Sequence, residues 1–154
     1  MSDAFVVLNP AVGENDVTVV KQALRDCLTP PDWSYTLYET VRDESIAAVV
    51  RRNQAQGYDL FIAVGGDGTV SGVAGGLVNT SIPLGIIPVG TGNGLAKDLA
   101  IPMDVERALE IIVERPTLRS IDAMEIEGRF FIRNVGIGLS AVMMRDTGRE
   151  EKRR

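Results

Sequence analysis

Histidine is absent from all 154 residues, and cysteine and tryptophan occur once each, as Cys27 and Trp33. With no imidazole there is no Ser-His-Asp arrangement, no histidine metal ligand and no histidine general base, so proton transfer falls to Asp, Glu, Lys, Tyr or backbone groups. A lone cysteine excludes an intrachain disulfide framework and a cysteine-cluster zinc site. Positive charge is not concentrated either: residues 1–77 carry 5 basic and 10 acidic side chains, residues 78–154 carry 11 of each, and the net charge is −5. Nucleic acid is therefore not an expected partner. The basic run from Arg149 to Arg154 also holds Glu150 and Glu151 and reads as a solvated terminus. No basic-then-apolar leader opens the chain, so the expected location is the cytoplasm. Aromatic residues make up only 5%, and Trp33, Tyr35 and Tyr38 read as packing or rim residues rather than as a base-stacking platform.

The apolar fraction of 45% against 24% charged, with a mean hydropathy of +0.08, is enough to build a core. An apolar run at 4–9, closed by Pro10 and Gly13, reads as a strand buried on both faces. Asn15 or Asp16 is the expected cap of a helix carrying Val17, Val20, Leu24, Cys27 and Leu28, which Pro30-Pro31 ends. Residues 34–39 alternate as a strand, and Asp43 is the expected cap of a helix with Ile46, Val49 and Val50. Residues 59–64 form a third strand, followed by a small-residue helix over about 70–78; residues 83–89 form a fourth, and Asp104 caps a helix with Ala108, Leu109 and Ile112. This alternation predicts a doubly wound, mostly parallel α/β sheet. After Pro116 the pattern changes. Residues 118–126 alternate, Glu127-Gly128 is a turn, and residues 130–135 pair back, which predicts the start of an antiparallel β unit with Asp122 and Arg133 as an exposed cross-strand pair.

Residues 68–96 carry no charge, a length that invites comparison with a membrane span. They also hold eight Gly, two Pro and seven Ser, Thr or Asn. Backbone breaks at those positions would be unsatisfied in hydrocarbon, so a buried strand between two glycine loops is the better reading.

Eleven of the sixteen glycines lie between Gly57 and Gly94, concentrated in two strand-to-helix turns. At the carboxyl ends of parallel strands such turns lead into helix N-termini, whose free N–H groups attract anions, and glycine lets a phosphate approach the backbone. Gly65, Gly66 and Gly68 fit a phosphate cradle, with Thr69 adding a hydroxyl. Asp67 would repel bare phosphate and suits a cation, its waters or a substrate hydroxyl instead. Taken alone, the segment is equally a tight turn with Asp67 capping a helix. Gly90-Thr91-Gly92-Asn93-Gly94 also leaves a strand and can face the same crevice. No Gly-x4-Gly-Lys-Ser/Thr loop is present. Gly136-Ile137-Gly138-Leu139-Ser140-Ala141 has the dinucleotide spacing, but too little chain follows for the acidic residue expected about 20 positions on. Lys97 and Asp98 read as solvated helix surface.

Asn9-Pro10-Ala11-Val12-Gly13, Gly65-Gly66-Asp67-Gly68-Thr69 and Pro83-Leu84-Gly85-Ile86-Ile87-Pro88-Val89-Gly90-Thr91-Gly92-Asn93 together resemble the diacylglycerol kinase catalytic domain. That family includes bacterial lipid kinases and sphingosine kinases, and the resemblance runs over residues 5–141. It implies a phosphofructokinase/NAD kinase-like nucleotide-binding α/β domain at 1–117 and the beginning of a β-sandwich domain at 118–154. It also implies that ATP and Mg²⁺ bind and that the γ-phosphate passes to the hydroxyl of a diacylglycerol or sphingoid-type lipid, with peripheral membrane contact. By matching positions, Asn9, Pro10, Ala11, Val12, Gly13, Thr40, Gly66, Asp67, Gly68, Thr69, Val70, Ser71, Gly72 and Thr91 line the nucleotide, with Gly65 and Asn93 in the same loops and Asp67 acting indirectly on the metal. Phosphoryl transfer asks the protein mainly for positioning and charge neutralisation, which glycine loops and a metal ion can supply.

Two positions depart from the family pattern. Ser71 stands where Asn is usual, and Gly94 stands where many members have Asp, a small residue there being common in sphingosine-kinase-like members. The family's catalytic base and magnesium-binding residues fall beyond Arg154, so this chain is expected to hold nucleotide and to be inactive alone. Two alternatives remain: an NAD kinase-like enzyme, since those proteins also carry Gly-Gly-Asp-Gly-Thr, and a non-catalytic regulatory module that forms homodimers through the incomplete β unit and its apolar residues Ile121, Ala123 and Phe131.

Overall fold

The computed structural model describes residues 1–114 and 117–132. Four parallel strands, β1 (Ser2–Leu8), β2 (Trp33–Glu39), β3 (Leu60–Gly65) and β4 (Leu84–Pro88), form one sheet in the order β2-β1-β3-β4. Central strands β1 and β3 are apolar on both faces because both faces are covered. Phe5, Val7, Phe61, Ala63 and Ile86 pack on one side with Val49, Val50, Val70 and Val73 of helices α2 (Ile46–Gln54) and α3 (Asp67–Leu77). Ala4, Val6, Leu8, Ile62, Val64 and Ile87 pack on the other with Val20 and Leu24 of α1 (Glu14–Cys27) and Leu109 of α5 (Val105–Glu114). The expected doubly wound α/β layer is present.

Helix α3 is built of small residues for a packing reason. A Cβ on Gly76 would lie 2.6 Å from Val50 Cγ1 and 3.0 Å from the Ala47 carbonyl, and one on Gly72 would lie 2.9 Å from Ile46 Cβ. Helices α2 and α3 thus approach to backbone distance, which offsets the roughly 1 kcal/mol that each mid-helix glycine costs in propensity.

Several local expectations are corrected. Helix α1 starts at Glu14 with Gly13 (φ +122°) at its N-cap and no side-chain cap, so Asn15 and Asp16 fall inside its first turn. Helix α2 is capped by Ser45, whose Oγ accepts from Ala48 N at 3.3 Å; Asp43 instead makes the preceding turn with φ +66°. Helix α3 begins at Asp67 rather than near Val70. The helix expected after the second glycine loop, with Lys97 and Asp98 on its surface, is the short α4 (Gly94–Asp98), which precedes the Asp104-capped α5. The uncharged stretch 68–96 is divided among α3, β4 and the start of α4, and no helix among the described residues is long and apolar enough to cross a membrane.

At the C-terminal end, β5 (Met124–Ile126) pairs antiparallel with β6 (Arg129–Phe131) around Glu127 and Gly128, both with positive φ as a tight hairpin turn requires. Among the described residues, pairing is confined to residues 124–126, a shorter strand than the alternating run from 118 suggested. Strand β6 packs on α3, with Phe130 beside Gly75 and Ile132 against the core cluster. Ile121, Met124 and Ile126 stay between 41% and 49% exposed, and Phe131 is half-buried. Arg133, the dinucleotide-like segment 136–141 and the basic run from Arg149 to Arg154 lie outside the described residues. The solvated terminus expected up to Arg154, and the expectation that the catalytic base falls beyond it, therefore stay readings of the sequence.

Candidate functional site

The strand register decides where the loops meet. Leu8 is opposite Glu39 on one side and Val64 on the other, and Gly65 is opposite Pro88, so all four strands end at one level. The segments that follow them therefore share a single rim. Helix α1 leaves β1 toward one face of the sheet and α3 leaves β3 toward the other, which opens a crevice between adjacent strand ends, the usual ligand position in open α/β sheets.

Side chains tie these segments together. Asn9 Oδ1 accepts from Ala11 N at 3.0 Å, shaping the single 3-10 turn Pro10–Val12, while Asn9 Nδ2 donates to Thr69 Oγ1 at 3.3 Å across the β1–β3 crevice. Thr69 is 3% exposed and folds back over Gly65, where a Cβ would lie 2.7 Å from Thr69 Cβ. Its hydroxyl is engaged with Asn9. A Cβ on Gly90 would lie 2.9 Å from Gly66 N, so the two glycine loops touch backbone to backbone.

Asp67 spans the same pair of loops. Its Oδ1 accepts from Gly94 N at 2.7 Å and from Leu95 N at 3.3 Å, so the carboxylate caps α4 rather than its own helix. Asn93, 8% exposed with φ +51°, clamps the second loop from within: Oδ1 accepts from Gly90 N at 3.0 Å and Nδ2 donates to Gly90 O at 2.6 Å.

The remaining candidates divide by environment. Thr40 continues the ladder past β2, its N–H donating to Leu8 O at 2.8 Å, and is half-buried beside Asn9. Pro10, Ala11, Gly13, Gly68 and Thr91 are exposed on the rim. A Cβ on Gly68 would meet nothing within 4 Å. Val12 and Ser71 are half-buried. Val70 belongs to the core and Gly72 abuts α2, so both would meet a ligand only through backbone.

The arrangement suits an anion. The first N–H groups of α3, on Asp67, Gly68 and Thr69, have no acceptor within the helix, and the space around Gly68 is open. Among the described residues no cluster of three or more His, Cys, Asp or Glu exists. A single carboxylate fits Mg²⁺ only as an ion carried in with phosphates, which is how Mg²⁺ is commonly held. Beside the second loop lies a hollow of about 350 Å³ lined by Asp16, Gly90, Thr91, Asn93, Lys97 and Met103 among others. It takes in Thr91 and Asn93 but not residues 65–72. Sequence reading missed the Asp67 link to α4 and the place of Lys97 in this hollow.

The chain is similar to known proteins in sequence and in fold. The family model described as the diacylglycerol kinase catalytic domain matches residues 3–126. An uncharacterized protein of Synechocystis sp. is 34% identical over 157 residues, covering 96% of this chain and 36% of its own length. A diacylglycerol kinase of Staphylococcus haemolyticus is 31% identical over 134 residues, covering 84% of this chain and 39% of its own. A crystal structure of a diacylglycerol kinase from Bacillus anthracis superposes with a TM-score of 0.69 at 26% identity, over 84% of this chain and 45% of that one. The chain thus spans under half the length of these proteins. The matched segment contains all four parallel strands and the three loops that meet at their ends, and by that match the chain belongs to the diacylglycerol kinase catalytic domain family.

Proposed function

We propose that this chain is the nucleotide-holding part of a lipid kinase. ATP lies along the rim with its phosphates on the amides of residues 66–69, flanked by residues 9–13, Thr40 and Thr91. Mg²⁺ enters bound to the triphosphate, with Asp67 acting on it indirectly through the loops it fixes. The acceptor is the hydroxyl of a diacylglycerol or sphingoid-type lipid presented at a membrane surface. Residues 118–154 are the opening of a second β domain, and the catalytic base is supplied from beyond Arg154. The observation that carries this reading is the shared level of the strand ends, which brings three ligand-type loops to one rim, locked by the Asn9–Thr69 and Asp67–Gly94 hydrogen bonds.

In this chemistry the protein's work is to bind, orient and neutralise. The α3 amides hold phosphate oxygens, Gly68 lets them approach, and Gly66 lets the second loop pack on the first. Asp67 and Asn93 keep the second loop pressed on the first. When bound, Mg²⁺ neutralises charge between the phosphates. The chain alone turns over little ATP.

Calorimetric titration with MgATP tests this: the unsubstituted chain binds, and Gly66→Val and Asp67→Ala weaken binding. Unchanged affinity in both variants would overturn the cradle. Phosphorylation assays offering NAD, diacylglycerol and sphingoid bases to a protein extended to the length of its relatives decide the acceptor, with product from NAD alone refuting a lipid kinase. Self-association through the hairpin is read by sedimentation, where a strictly monomeric chain refutes it.

A further inference from the structure

Thr40 stands on the β2–α2 connection, and that connection is strapped from both layers of the fold. On the α1 side, Lys21 Nζ lies 2.5 Å from Glu39 Oε1, one residue before Thr40. On the α2 side, Glu44 receives two donors, the Tyr38 hydroxyl and Arg52 Nη2, the latter at 2.6 Å. Tyr38 is itself anchored, its ring stacked on the buried Phe5 with centroids 6.2 Å apart and planes within 18°. Glu44 therefore joins the strand that precedes residues 40–43 to the helix that follows them.

The core does not need this link. The Arg52 side chain is 63% exposed, and an ion pair so open to water contributes little to global stability. Its effect is local. The segment it closes contains the left-handed turn at Asp43, and its first residue, Thr40, is held at the rim by a single ladder hydrogen bond to Leu8. A tether from Tyr38 and Arg52 limits how far that segment can swing from the crevice.

We propose that Glu44 is a positioning residue of the nucleotide site, holding the β2–α2 connection so that Thr40 meets the ligand; this rests on the nucleotide-holding reading above. A ligand that contacts a preorganised loop binds more tightly because less ordering remains to be done on binding.

The test is a double-mutant cycle on MgATP affinity with Glu44→Ala, Thr40→Ala and the pair. Glu44→Ala is expected to weaken binding on the order of tenfold while the melting temperature stays within about 2 °C, and to add nothing in the Thr40→Ala background. Tyr38→Phe, which keeps the ring stack and removes one donor, is expected to weaken binding in the same direction. An unchanged dissociation constant in Glu44→Ala and Tyr38→Phe, or a Glu44→Ala effect that persists in full without the Thr40 hydroxyl, would overturn the proposal. Failure of the unsubstituted chain to bind MgATP is a different result: it removes the nucleotide reading itself, and the proposal with it.

Discussion

The Asp67 carboxylate accepts a 2.7 Å hydrogen bond from the amide of Gly94, 27 residues away on the neighbouring loop. A carboxylate at the start of α4 also complements the positive end of that helix. Removing it in Asp67→Ala leaves the Gly94 and Leu95 amides unpaired, and a lost cap costs about 1 kcal/mol. The expected melting-temperature drop is roughly 2–4 °C. Asp67→Asn keeps an acceptor and should restore most of this. Calorimetry of the two variants checks it: equal losses would mean that charge, not hydrogen bonding, is what the loop requires.

Gly68 and Gly90 should respond oppositely to the same methyl group. Gly68 has open space around its Cβ position and sits in the first turn of α3, so Gly68→Ala should leave stability unchanged or raise it by up to about 1 kcal/mol. The added methyl nevertheless occupies the rim, and MgATP affinity should fall. In Gly90→Ala the methyl meets Gly66 backbone, which has no side chain to rotate away, so the loops must part at a cost of about 1–3 kcal/mol. Denaturant unfolding together with titration separates the two effects.

Much of this was legible because it is local. Residues 59–64 read as a strand, and β3 covers residues 60–65; Glu127-Gly128 read as a turn, and it is one. Capping was less legible. Asp43 and Ser45 are both competent caps two residues apart, but Asp43 takes a left-handed turn and Ser45 Oγ accepts from Ala48 N. Helix α4 is a turn and a half of Gly, Leu, Ala, Lys and Asp, too short for an apolar period to register. The role of Asp67 could not be read at all, because its partners lie on another loop. Asn93 likewise resembles any turn asparagine until both of its amide atoms are found on Gly90.

The close α2–α3 contact makes a further test of packing. Gly76→Ala places a methyl among Val50 side-chain atoms and the Ala47 carbonyl, and should destabilise by about 1–3 kcal/mol. Part of that loss should be recovered in Gly76→Ala with Val50→Ala, because the second change removes the atoms in the way, although it also costs buried area. If the pair is no better than the sum of its single changes, the contact with Ala47 O is the limiting one.

The Tyr38–Glu44–Arg52 cluster should reveal itself at both ends of the pH scale. The hydrogen bond from Tyr38, followed by that from Arg52, holds the Glu44 carboxyl below the ordinary carboxylate range. A lowered carboxyl stabilises the fold above its unfolded value, and that contribution disappears as pH falls through the lowered value. The same hydrogen bond to Glu44 pushes the Tyr38 phenol up, so its contribution is present below the ordinary tyrosine range and is lost as pH rises beyond it. In denaturant titrations the stability difference between the unsubstituted chain and Tyr38→Phe should be largest near neutrality and shrink toward both extremes. A difference independent of pH would show that it does not come from the Tyr38–Glu44 hydrogen bond.

Cys27 gives a probe that needs no substitution. Burial, followed by the carboxylates of Asp26, Glu110, Glu106 and Glu114, pushes its thiol up from the ordinary cysteine value. The thiolate is the reactive form, so alkylation at pH 8 should be slower in the folded chain than in denaturant, and its pH midpoint should be displaced upward. The sign for stability follows from the same shift. Above about pH 8.5 the unfolded thiol has lost a proton that the folded one retains, so stability should decline as pH rises through that range. Cys27→Ser should flatten that decline. An alkylation profile that coincides in the folded and unfolded chains would show that the acidic face shared by α1 and α5 exerts no field on the sulfur.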